Sequence, residues 1–193
     1  MNTTYFFSGR IIAAISASLF WSGQIHLNAA SDVSISTAVT SGGSFAGPNP
    51  NVFTPTAASA VANKGTIQTS LNGGNAVTVN TASAAGGNGD LTVTSAIAKT
   101  AGASSTLTFN AVRDLIINAA VSSSTGAMPL VLNSGRNMSN AQALTSNGGN
   151  ITLSPVQTFT VGAAVNANAG QVAIQSGSVE SSSDQNITGS SVV

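Results

Sequence analysis

Three aspartates, two arginines and one histidine are the side chains of this sequence whose types and spacing could do chemistry. Asp32, Asp90 and Asp114 each stand immediately before an apolar-x-apolar triplet, Val33 to Ile35, Leu91 to Val93 and Leu115 to Ile117. A row of carboxylates could serve glycosidic cleavage, which uses a pair of them, or could hold a cation. The same residue type can instead sit in a turn and accept hydrogen bonds from backbone amides. The chain has only five acids, and Thr158 stands where the later copy would need another. Like charges stacked without counter-ions also repel. The turn role is therefore the expectation, with no catalytic, cofactor-binding or metal-binding residue.

Arg113 and Arg136 occupy equivalent places 23 residues apart, so they stack on one face. There they either solubilise an edge or touch an anion or a glycan. His26 is the outward residue of Ile25-His26-Leu27 and lacks a clustered serine and aspartate, which makes it a surface residue. Residues 86–90, Gly-Gly-Asn-Gly-Asp, are close to the calcium-binding G-G-x-G-x-D array. Asp90 comes one residue early and no second copy follows, so the segment reads as a glycine-rich turn entering a strand at 91–97. Asn-x-Ser/Thr occurs at Asn2, Asn137, Asn150 and Asn186, as composition alone would give in a chain so rich in these residues.

The elements that position these residues follow from composition and periodicity. Charged residues are 5% of the 193, against about 25% in an ordinary soluble domain. There is no basic face to neutralise nucleic-acid phosphates. The absence of cysteine excludes disulfides, thiolate metal sites and thiol nucleophiles. Apolar residues reach 42%, too many for disorder by low hydrophobicity. Lys and Glu, which clothe helices, are scarce, while Val, Ile, Thr and Ala alternate with 20 glycines. An all-β architecture is predicted.

A repeat specifies which one. IHLNAASDVSISTAV from Ile25, LTFNAVRDLIINAAV from Leu107, LVLNSGRNMSNAQAL from Leu130 and ITLSPVQTFTVGAAV from Ile151 share the pattern Φ-x-Φ-N-x4-Φ-x-Φ-x-x-A-Φ, with Φ apolar. The starts at 107, 130 and 151 are 23 and 21 residues apart, and a partial copy begins at Val172. The 82 residues between the first two starts would hold about four periods. Each Φ-x-Φ points two residues inward and one outward. Two such strands per turn are too short to bury a face alone, so turns must stack at roughly 4.8 Å each. The prediction is a parallel β-solenoid, a β-helix of about 20–23 residues per coil. Leu27, Phe109, Leu132 and Leu153 should stack inside, and Asn28, Asn110 and Asn133 should form an amide ladder. The alanine before the final Φ marks a tight corner.

Three segments depart from the repeat at 24–180. Residues 1–23 hold five of the nine aromatics, and Arg10 precedes the apolar run Ile11 to Trp21. That is the outline of a signal peptide, too short to span a bilayer; a segment capping the first coil is the alternative. Residues 45–58 carry three of the five prolines and read as a loop or irregular insertion, after which Ile67 and Leu71 through Val79 bring the chain back to the repeat. Residues 181–193 read as a polar tail. Lacking evident caps, the solenoid should associate end to end through its exposed strand edges.

The segments GNGDLTVTSAI, STLTFNAVRDLIINAAVSSSTG and FTPTAASAVANKGTIQTSLNGGNAVTV resemble repeats of filamentous-haemagglutinin-like large exoproteins, over residues 24–180. The resemblance implies a right-handed parallel β-helix and a secreted or cell-surface adhesin of Gram-negative bacteria exported by two-partner secretion. It implies a host-cell or surface glycan or protein as partner, with an outer-membrane secretion partner. It brings no catalytic residues. Asn49-Pro50-Asn51 continues into Val-Phe within the proline-rich insertion, so the family's secretion-motif role is not transferred to it. The function expected is a non-catalytic structural and adhesive shaft segment. The alternatives are a β-helix enzyme acting on polysaccharide, or a remnant of a larger adhesin gene without independent function.

Overall fold

Strict alternation of apolar and polar residues over three to five positions, broken by glycine and asparagine, leaves the chain one way to bury its apolar side. It must lay each short strand on its equivalent in the next turn. The computed structural model describes residues 30–83, 85–181 and 186–189, and the chain is a parallel β-helix, a β-solenoid of about seven turns.

Regular coils begin at β5 (Val77–Asn80), followed by β6 (Leu91–Val93) and β7 (Ile97–Lys99). The second coil is β8 (Leu107–Ala111), β9 (Leu115–Ile117) and β10 (Val121–Ser123); the third is β11 (Leu130–Ser134), β12 (Met138–Asn140) and β13 (Leu144–Thr145). The fourth is β14 (Ile151–Pro155), β15 (Thr158–Val161) and β16 (Val165–Asn166). The last is β17 (Val172–Ile174), β18 (Ser178–Ser181) and β19 (Ile187–Thr188). The starts at 107, 130, 151 and 172 are those read from the repeat.

Each coil holds three strands rather than the two expected, and they build three sheets. The first sheet carries β5, β8, β11, β14 and β17, the second β6, β9, β12, β15 and β18, and the third β7, β10, β13, β16 and β19. The third strand starts at the final Φ of the repeat. Its second inward place is polar in three coils, at Lys99, Ser123 and Ser146, and only a small alanine, Ala167, in the fourth, so apolar alternation is weak there. The β19 strand pairs with β16 inside the stretch read as a tail, so coil structure extends beyond residue 180.

Side-chain ladders fill the interior. Phe109, Leu132 and Leu153 stack as expected, and Val79 extends their row; all four are fully buried. Leu27 falls outside the described residues. The corner alanines are not tight: Ala96 is exposed, and Asn186 takes the same ladder place above Ala164.

The amino-terminal end is the largest departure from expectation. β1 (Asp32–Ser36) is followed by β2 (Gly43–Ala46), β3 (Asn51–Pro55), β4 (Ser59–Asn63) and α1 (Lys64–Asn72). Half of residues 45–58 is thus strand: β2 and β3 form an antiparallel hairpin, and β3 also pairs in parallel with β5. The rings of Phe45 and Phe53 meet across the hairpin with centroids 5.1 Å apart. In the second sheet β1 lies between β6 and β4, so a strand earlier in sequence is covered by a later one. α1 packs against β7, where another third strand would lie. Asn63 caps it by accepting the Thr66 N–H at 3.0 Å. Ile67 and Leu71, expected to return the chain to the repeat, are one turn apart on α1 and both fully buried. The long gap in the repeat therefore contains this cap and one regular coil, not four periods.

Candidate functional site

The aspartate row exists, and its geometry is that of turn capping. Asp32, Asp90 and Asp114 are in register on the second sheet, each just before the inward residue of its strand. Asp32 Oδ1 accepts the backbone N–H groups of Asn88 and Gly89 at 3.0 Å and of Asp90 at 3.1 Å. Residues 86–90 are the turn so gathered. Gly89 has φ +92°, and a Cβ there would stand 2.8 Å from that of Val112, so only glycine fits. Asp90 Oδ1 accepts the Asp114 N–H at 3.2 Å, and Asp114 Oδ1 accepts the Asn137 N–H at 3.1 Å. Each carboxylate thus fastens the next coil.

Repulsion along the row is answered by the arginines, whose pairing was not anticipated. Arg113 Nε donates to Asp90 Oδ1 at 2.6 Å, and its Nη2 pairs with Oδ2. Arg136 Nε donates to Asp114 Oδ1 at 2.8 Å, and its Nη2 pairs with the other oxygen. Both are two-pronged pairs in which a fork of N–H groups matches a carboxylate. The Arg136 guanidinium, helped by the Asn137 amide and the nearby charges, holds the Asp114 carboxyl below the usual aspartate range. Asp90 and Asp114 raise the pKa of Arg113 and Arg136 in turn. The signal was present in the sequence: Arg113 and Arg136 each stand one residue before the rung above an aspartate. At about 4.8 Å between rungs, that offset lets each reach down one coil.

Two further polar ladders were partly legible. Asn110 Nδ2 donates to Asn80 Oδ1 at 2.9 Å, and Asn133 Nδ2 donates to Asn110 Oδ1 at 2.8 Å. Asn80 is a rung the repeat pattern did not single out; Asn28, like His26 and Asn2, lies outside the described residues. Lys99 was missed altogether. Fully buried, its Nζ donates to the carbonyls of Ala101 at 2.7 Å, Gly102 at 3.1 Å and Thr125 at 2.6 Å. Burial pushes its pKa below the ordinary lysine value, while the three carbonyls favour the protonated form. It joins the turns of two coils, as Ser146 does higher up, while Ser123 bonds the carbonyls of its own turn.

The outer face of the second sheet holds two cavities. One, of about 440 Å³, is lined by Asp114, Ile116, Asn137, Ser139, Thr160 and Glu180 among others. The other, of about 510 Å³, involves Asp32, Ser34, Ser41, Ser59, Asp90 and Thr92. Ser34, Thr92, Ile116, Ser139, Thr160 and Glu180 are successive rungs of one outward rank, and the two cavities lie along it. Among the described residues, no three His, Asp or Glu side chains cluster as a metal site would need. No described helix is long and apolar enough to cross a membrane. Compared with protein-family models, curated proteins and solved structures, the chain matches none of them.

Proposed function

We propose that this chain is a non-catalytic structural and adhesive segment of a secreted or cell-surface protein of the filamentous-haemagglutinin-like kind. Its partner would be a glycan or protein of a host cell or other surface, and an outer-membrane protein would serve its export. One observation carries the reading: Asp32, Asp90 and Asp114 are all engaged in fastening one coil to the next. Carboxylates held by amides and arginines make the stack rigid and are poorly placed to move protons during a reaction. The solenoid then serves as a stiff rod that presents the same outward ranks coil after coil, which suits attachment through many weak contacts.

Beads coated with the full chain test this directly. They should bind to epithelial cells or to abiotic surfaces well above beads coated with an unrelated β-rich protein. Incubation of the chain with polysaccharides should release no reducing ends. Equal attachment of both bead types would overturn the adhesive reading, and sustained release of reducing ends would favour the polysaccharide-acting enzyme.

A further inference from the structure

We infer that the two cavities join as one trough along the second sheet and bind a linear, hydroxyl-rich glycan chain without anionic groups; this rests on the adhesive reading and gives it a location and a ligand class. The trough runs along the solenoid axis, and its lining repeats with each strand at about 4.8 Å. An extended sugar chain lying along it would meet one rung of hydrogen-bonding groups after another. Ser139 and Thr160 offer hydroxyls and Asn137 an amide, while Ile116 supplies an apolar contact for the less polar face of a sugar ring.

Charge narrows the class. Four acids, Asp32, Asp90, Asp114 and Glu180, line the two cavities. The cations beside them are Arg113 and Arg136, whose guanidiniums are engaged by Asp90 and Asp114. Of the other lysines and arginines in the described residues, Lys64 lies on α1 and Lys99 is buried. The surplus is negative, so a sulfated or uronate-rich chain would be repelled, whereas neutral or amino-bearing sugars would not. Without an aromatic platform in the lining, affinity for one short oligosaccharide should be low, of order 1 mM.

The test is saturation-transfer NMR on the full chain with three probes: cellohexaose, a glucosamine hexamer and a heparin hexasaccharide. Transfer to the first two and none to heparin is expected. Ser139→Arg, which puts a long cation into the trough from an outward position, should weaken cellohexaose binding at least tenfold. Thr160→Arg provides a second blocking variant should the first fail to fold by circular dichroism. Thr152→Arg, outward on the first sheet, should leave binding unchanged. No transfer to either uncharged or amino oligosaccharide overturns the proposal. So does preference for heparin, or an equal effect of the blocking variants and Thr152→Arg. Bead attachment separates the two readings. Beads that adhere equally with and without Ser139→Arg exclude the trough as the contact while leaving adhesion standing. Oligosaccharide binding without any bead attachment would do the reverse.

Discussion

Asp114 shows how a carboxylate is used to fasten one coil to the next. Its carboxylate accepts the Asn137 amide and the Arg136 fork, and its pKa falls accordingly. The folded value lies below the unfolded one, so this contribution is present above the ordinary aspartate value of about 3.9. It is lost as pH falls through the depressed folded value. Urea midpoints measured between pH 7 and pH 2 should therefore drop in acid, and Asp114→Asn should flatten that drop while lowering stability at pH 7. A steeper acid limb in the variant would contradict the pairing. At this scale the sequence revealed the row but not its neutralisation. The spacing placed Asp32, Asp90 and Asp114 together, whereas the arginines that pair with them become visible only when the strand register is known. Lys99 left no signal at all, because a lysine in a short apolar strand reads as an exposed residue until the carbonyls around it are located.

Among the elements, those that repeat were legible and those that do not were hidden. β8, β11, β14 and β17 begin where the Φ-x-Φ pattern begins, because each has two inward apolar residues. The third strands carry one large inward apolar residue followed inward by Lys99, Ser123, Ser146 or the small Ala167, too weak an alternation to stand out. α1 was concealed by its composition: Lys-Gly-Thr-Ile-Gln-Thr-Ser-Leu-Asn contains few strong helix formers, and its helicity rests on tertiary packing. Two buried side chains hold it, Ile67 and Leu71, with Gln68 Nε2 donating to the Ala98 carbonyl at 2.9 Å. Leu71→Ala should cost about 2–5 kcal/mol by urea denaturation. Far-ultraviolet circular dichroism should meanwhile retain the β signal, since the regular coils keep one another. Loss of all β structure in this variant would mean that the cap is required for the coils to form.

Over the whole molecule the two ends differ. Among the described residues, the amino-terminal side carries the β2–β3 hairpin and α1, while β17, β18 and β19 are the last strands of their sheets at the other side. Val179, the inward rung above Phe159, is 51% exposed there. Association, expected at both ends from sequence, is therefore predicted at the carboxyl-terminal face, because an edge strand is a template for another strand. Sedimentation velocity on the full chain should show concentration-dependent dimers rather than filaments, and Val179→Lys should reduce them. Filaments growing without limit would mean that the hairpin and helix do not block the first end.

The covered strand β1, lying between β6 and β4, has a consequence for the order of events in making the molecule. A stack whose cap precedes its regular coils in the sequence offers each new turn a finished surface to lie on. Such a stack can grow as a one-way zipper, coil by coil. Amide hydrogen exchange should record that direction as a gradient, slowest in the strands beside the cap and fastest at β19.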